Sequence, residues 1–360
     1  MTDTPWARFK AAIAGLWTRG LPESEERSDA PAAAPAAQPG PVENAREVAS
    51  PQRLSSASNA QSKKSRSTDA IDGLELIGRL TGLRGTARET RQQLEARHAE
   101  LSGVDLRAEL EALLSQVAIW FPQEACRDLP VLLPHVMRDN GCRKQLCDAG
   151  HLKSAGSGAG NPRDMWSTPT PEGFVRDDNS LIKTLVKGLS IKSSDPLLDG
   201  QTLGRNWVAC HIWPMNAAPD PWLNSFVPNL VWLPKPVDQW SDRDGHAVQE
   251  ILRSISLRRF SAMATTQVCQ ELLHQLPAPH ESAPATGVDH HEFILTGKWI
   301  ETRRQKIRVM GELLTAVSQS TVPQVTSGHS HYDSHVPDLQ AAKVAPLAER
   351  LTRYVSVHGL

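Results

Sequence analysis

No stretch of the 360 residues approaches the roughly 18 to 20 consecutive apolar positions that a membrane-spanning helix needs. The apolar run Ala11 to Trp17 is also short for a secretory leader core. A chain that neither spans a membrane nor leaves the cell is the expectation, and a cytoplasmic location follows from it. Cys126, Cys142, Cys147, Cys210 and Cys269 are scattered, without a disulfide framework's even set or the paired CxxC knuckles of a zinc module. A reducing compartment fits them. Charge of one sign is missing as well: 39 basic residues face 40 acidic ones, so any contact with a polyanion must come from local patches. There is no Walker loop, no dinucleotide fingerprint and no G-x-S-x-G elbow. Nucleotide-driven, redox and serine-hydrolase readings lose their support.

What is present divides unevenly. Aromatics make up 5% and hydrophobic residues 39% of the chain, which also carries 26 prolines, a composition that folds only in part. Residues 5–19 wind into a short helix with Trp6, Ile13 and Trp17 near one face. From Pro22 to Ser67 almost no Leu, Ile, Val or aromatic side chain offsets chain entropy, so residues 1–68 read as a disordered leader. Helical spacing runs through residues 69–140, with Leu76, Leu80 and Leu83, then Leu94 and Leu101. Ser102 with Asp105 opens a helix whose stripe holds Leu106, Leu110, Leu113, Val117 and Trp120, and Pro122 ends it. This helical region is a candidate homodimer surface. Residues 276–360 return to helix, with stripes through Ile300, Ile307, Met310, Leu314 and Val317 and later Leu347, Leu351 and Tyr354. The fold class expected is α+β, mainly helical, with a small strand-strand-helix module in residues 141–275.

That module centres on Asn206 to Gly245, which holds five of the ten tryptophans. Trp207, Val208 and Ala209 form a short strand delivering Cys210, His211 and Ile212. A loop with Pro214, Pro219, Asp220 and Pro221 follows, then a second strand over Asn229 to Leu233. After Asp238, Trp240 and Asp242 a helix begins, with Val248, Ile251, Leu252 and Ile255 as its apolar face.

In these residues the chain resembles the HNH, or ββα-metal, nucleases, in the variant running Ala-His-Ile-x-Pro, a loop, Asn-Gly-Leu-x-Leu, a His-Asp pair and Leu-Phe-Asp-x-Gly. Ala209, His211, Ile212 and Pro214 match the first part, with Cys210 between the alanine and the histidine. Asn229, Leu230 and Leu233 match the second, and Asp238, Trp240, Asp242 and Gly245 fall at or near the third. The resemblance implies that His211 takes a proton from water, that Asn229 braces the loop, and that the helix offers a ligand to one divalent metal. Mg²⁺ or Mn²⁺ is the favoured ion, with Zn²⁺ or Ni²⁺ as alternatives. It implies a metal-dependent endonuclease acting on DNA, in restriction or defence. Cys210 stands where many relatives place a metal ligand, and Val237 where the variant places its second histidine. Asp238, Asp242 and Cys210 are therefore the candidate ligands, with His246 in reserve. The competing expectation is a noncatalytic nucleic-acid-binding or protein-interaction protein on a degenerate HNH fold, with His211 bonded inside an aromatic core and Asn229 serving a turn.

Arg253, Arg258 and Arg259, and further on Lys298, Arg303, Arg304, Lys306 and Arg308, are cations that either straddle a phosphate backbone or form a solvated helix face balanced by Glu301 and Glu312. Three histidine-rich groupings suggest metals on paper: Cys142, Cys147 and His151; Asp289 to Glu292; and His329, His331, Asp333 and His335. None has the strand or helix that would fix its geometry.

Overall fold

Among the described residues, several helices start where a polar side chain accepts from a first-turn N–H, at Asp72, Thr86, Ser102, His246, Thr266 and Thr296. In this computed structural model, residues 70–138, 175–177, 180–214, 220–241, 246–279, 290–327 and 339–360 are described, with Asp333 and Val336. Strand β1 (Ala70–Ile71) leads into α1 (Gly73–Thr81), capped by Asp72. A capping box of Thr86 and Glu89 starts α2 (Ala87–His98), and Ser102 caps α3 (Gly103–Val117). There follow β2 (Ile119–Trp120), α4 (Gln123–Asp128), β3 (Val136–Arg138), β4 (Val175–Asp177), α5 (Ser180–Leu185), β5 (Ile191–Lys192) and β6 (Thr202–Leu203). Next come β7 (Trp207–His211), a 3₁₀ turn over Val227–Asn229, β8 (Leu230–Pro234), α6 (Lys235–Ser241) and α7 (Ala247–Phe260). The chain closes with α8 (Gln267–His274), β9 (His291–Phe293), α9 (Gly297–Ser318) and α10 (Ala341–His358). The protein is thus mainly helical α+β.

Five strands make one mixed sheet in the order β5-β9-β2-β8-β7. β7 and β8 are antiparallel, as are β8 and β2, whereas β2 and β9 run parallel. The three segments read separately in the sequence all contribute to it, and Asp69–Leu360 forms one unit. The hairpin is therefore not a free-standing module, because its inner strand β8 is sandwiched between β7 and β2.

Three sequence expectations need correction. The stripe ending at Trp120 is not one helix: α3 stops at Val117, Ala118 turns extended, and Ile119 and Trp120 pair with Trp232, His291 and Glu292. Pro122 disfavours a helical Phe121, so the backbone there was never free to continue the helix. The helix behind the hairpin is two helices: α6 leaves β8 directly at Lys235, and α7 starts afresh with His246 as its cap, accepting from Val248 N–H at 3.2 Å. His291 and Glu292 sit in a strand, where His291 Nδ1 faces Ser193 Oγ at 2.8 Å, not in a histidine-rich loop. The residues 5–19 helix, the Pro22 to Ser67 linker, Cys142, Cys147, His151, Asp289, His329, His331 and His335 lie outside the described residues.

The apolar stripes read from the sequence do build the core. Val248, Ile251, Leu252 and Ile255 are buried, as are Ile307, Met310 and Leu314 of α9 and Leu347, Leu351 and Tyr354 of α10. Tyr354 does more than fill space. Its hydroxyl accepts from Val131 N–H at 3.0 Å and donates to Val131 C=O at 3.1 Å, and burial pushes its pKa far up, keeping it a neutral donor. Val131 bridges Phe226, so this one hydroxyl ties α10 to the loop that precedes β8. Tyr354→Phe is expected to cost about 1–3 kcal/mol, since it strands two buried peptide groups. Urea unfolding reads it, and an unchanged midpoint would dismiss the clamp.

Candidate functional site

Alternation along a strand decides what the hairpin can assemble. The register pairs Ala209 with Trp232 and His211 with Leu230, which places these four on one face of the sheet. Cys210 falls on the other face, where its Sγ lies 4.0 Å from the Asp238 carbonyl of α6. Helices α6 and α7 cover that second face: Trp120 meets Phe260 there, and Arg259 meets Glu292. The imidazole and the helix expected to supply its metal ligand are thus on opposite sides of β7.

His211 is fully enclosed, at 0% exposure. Its Nε2 lies 2.7 Å from the Asn224 carbonyl oxygen, an acceptor only, so Nε2 carries a proton and donates it there. Asn224 is itself held, because its side-chain N–H donates to Val136 C=O at 3.1 Å. Asp220 starts this part of the loop by accepting from Trp222 and Leu223 N–H at 2.7 and 2.9 Å. Asn229 closes it. Its amide oxygen accepts from Trp213 N–H at 2.8 Å, and its amide N–H donates to Leu223 C=O at 2.8 Å. One buried side chain thereby fastens the start of the loop to its end, while Ile212 N–H donates to the Asn229 carbonyl at 3.0 Å.

Asp238 is occupied. Arg91 of α2 donates from Nη2 to Asp238 Oδ1 at 2.9 Å and to Lys235 C=O at 2.7 Å, from Nε to Pro236 C=O at 3.0 Å, and from Nη1 to the Gln239 amide oxygen. A guanidinium with five fixed donors suits this task, gripping one turn of α6 from outside. Asp242 lies outside the described residues. Among the described residues, no group of three or more His, Cys, Asp or Glu side chains is arranged to hold a metal ion. Cys210 faces away from His211, and the Asp238 carboxylate is committed to Arg91, so among the described residues the donors do not fit the divalent ion that the resemblance implies.

The cations separate into two groups. Arg253 and Arg259 are inside the protein. Arg253 pairs with Glu250 at 2.8 Å, and Arg259 pairs with Glu292 and reaches the Phe121 carbonyl at 3.4 Å. They hold the buried Glu250 and the half-buried Glu292 and are not presented to a phosphate backbone, which corrects their reading as phosphate contacts. Arg258 and Lys298 are exposed, and Arg303 and Arg304 of α9 are half-buried. Arg303 and Arg304 each have an Nε shielded from solvent with no hydrogen-bond acceptor among the described residues. Burial pushes the Arg303 guanidinium down from its usual value; partial desolvation and the neighbouring Arg303 charge lower Lys306, whose side chain is otherwise exposed.

Sequence reasoning missed Arg91 and Asn224. Arg91 sits in a charge-rich helix where nothing distinguishes it from Arg88 or Arg97, and its partners lie 144 to 148 residues away. Asn224 offers a backbone carbonyl, which no side-chain pattern can reveal. No protein-family model, curated protein or solved structure matches the chain.

Asn229→Ala is expected to leave the Trp213 N–H and Leu223 C=O buried without partners, at about 2–5 kcal/mol for the two together. Asn229→Asp turns a carboxylate oxygen toward the Leu223 carbonyl in a fully buried site, and should cost at least as much as Asn229→Ala at neutral pH and less in acid, where a protonated oxygen can donate. An Asn229→Asp cost well below that of Asn229→Ala at neutral pH in denaturant titrations would contradict a latch made of both bonds.

Two buried imidazoles outside the hairpin give stability a pH dependence. Burial is the largest cause holding His98 and His291 below the ordinary value of 6.5. The unfolded chain therefore takes up protons before the folded one does. Their contribution is intact above that value and is lost as pH falls from it toward the depressed folded values. The urea midpoint should decline from about pH 7 to pH 5.5, and less steeply in His98→Asn/His291→Asn. Parallel profiles for the two proteins would refute it.

Proposed function

We propose that the chain is a nucleic-acid-binding protein with duplex DNA as its partner, in which an HNH-like hairpin is a structural element and α9 supplies the phosphate contacts. The observation that carries this reading is the state of the α9 cations. Arg303 and Arg304 hold shielded Nε–H groups without acceptors among the described residues, and Lys306 stands beside Arg303. Partly desolvated like charges repel, and shielded donors without acceptors are costly. Phosphate oxygens offer acceptors and negative charge to the solvent-facing parts of these side chains, beyond Asp128, which already lies near Arg304. The strand-loop-strand-helix order and the Asn229 latch support the likeness to the HNH scaffold. The enclosed His211 and the Arg91–Asp238 pair argue against hydrolysis at that histidine.

One specific observation favours the hydrolytic reading, a DNA endonuclease with His211 as base. The Asn224 carbonyl accepts from Nε2–H, and in a neutral ring so held Nδ1 is the nitrogen that takes up a proton. Under that reading the loop over His211 must open before substrate reaches the ring.

A single set of experiments tests both. A labelled duplex titrated with protein at several salt concentrations should bind, and Arg303→Gln/Arg304→Gln/Lys306→Gln should weaken binding for all sequences alike. The slope of log K against log salt should fall by about 0.9 for each phosphate contact removed. A wild-type protein that does not bind DNA, or a triple variant that binds equally well, overturns the proposal. Plasmid incubated with Mg²⁺, Mn²⁺, Ni²⁺ or Zn²⁺ should stay intact. Cleavage that disappears with chelator and in His211→Ala would establish the hydrolytic reading instead.

A further inference from the structure

Two of the described cysteines are in contact across the core. Cys126 of α4 and Cys269 of α8 stand 143 residues apart in the chain, yet their sulfurs lie 3.5 Å apart, both thiols are free and both are buried. The contact is held from both sides. Cys269 Sγ also lies 3.9 Å from the Cys126 carbonyl, and Cys269 N–H donates to Thr266 Oγ1 in the first turn of α8. Nothing in the hairpin or in α9 uses these thiols. A pair of sulfurs in van der Waals contact, joining two helices far apart in the chain, is one small movement from the roughly 2.05 Å of a covalent bond.

From this geometry we infer that Cys126 and Cys269 are an oxidative modification site, closed to a disulfide by a peroxide as two-electron oxidant. The Cys269 sulfur, in the first turn of α8, attacks one peroxide oxygen. The O–O bond breaks, leaving a sulfenic acid and releasing one water. The Cys126 sulfur then attacks the sulfenic sulfur, the S–O bond breaks, and a second water leaves with the remaining thiol proton. The balance is two thiols and one hydrogen peroxide giving one disulfide and two waters.

The neighbouring Cys269 sulfur and burial push the Cys126 thiol pKa far up, so this sulfur is a poor nucleophile while the core is closed. Oxidant enters only when α8 or α4 lifts. The bond then staples α4 to α8 across a loop of 143 residues, restricting the unfolded chain most where the loop is long. It forms beside Tyr354, whose hydroxyl clamps Val131, so oxidation fastens the same corner of the fold that α10 closes.

The test treats the full-length protein with hydrogen peroxide, alone and in sub-denaturing urea, then blocks remaining thiols with N-ethylmaleimide and digests without reductant. A peptide joining Cys126 to Cys269, two hydrogens lighter than the reduced pair, is expected. It should form faster in urea and be absent from Cys126→Ala and Cys269→Ala. The oxidised wild type should melt about 5 °C or more above the reduced protein, reversibly with dithiothreitol. Cys126 and Cys269 both recovered as maleimide adducts or higher oxides, or paired with Cys142, Cys147 or Cys210, would overturn the assignment. If either alanine variant fails to fold, the wild-type peptide map alone decides.

Discussion

Leu230 to Pro234 are buried at every position. A strand with no wet side needs a partner for each of its peptide groups, and this one requirement organises the protein. β7 satisfies one edge of β8. The other edge draws in β2, from a segment whose composition otherwise favours helix, and β2 in turn accepts β9 from far along the chain. Once the sheet exists its two faces must be covered. α6 and α7 lie on one. On the other, Phe121, Trp232 and Phe293 meet edge to face or tilted, and Trp299 of α9 packs against Phe121.

The same requirement sets what the hairpin can do. Alternation puts neighbouring residues on opposite faces, so the histidine and the cysteine that stand together in the sequence are separated by the sheet itself. His211 is used to hold the loop, through the Asn224 carbonyl, and Asn229 holds that loop a second time. Arg91 fastens α6 from outside. The hairpin is rigid because several remote segments grip it, and its polar residues are largely spent in that grip.

Much of this was legible in the residues. Ser102 and Asp105 marked the start of α3, the Val248-to-Ile255 stripe marked the buried face of α7, and the tryptophan-rich segment marked a strand pair within a residue or so of its bounds. What stayed hidden depends on pairing across distance. Two residues, Ile119 and Trp120, carry no period of their own and become a strand only because β8 and β9 flank them. Arg253 and Arg259 read as phosphate contacts because spacing reports a helix face and not which carboxylate waits there; Glu292 is 33 residues from Arg259. The divided ligand set was in principle readable, since Cys210 and His211 are adjacent in a strand. The sequence motif drew them together where the pleat holds them apart.

The place of β9 in the sheet carries a consequence for how the chain is made. β9 lies between β5 and β2, and β5 has no other neighbour in that sheet. A nascent chain leaving the ribosome must therefore keep residues 119–120 and 191–192 waiting, with unfilled backbone edges, until residues 291–293 emerge to be inserted between them. Synthesis and closure of the sheet are coupled late, and the interval between them is when this protein is most exposed to wrong pairing and to chaperones.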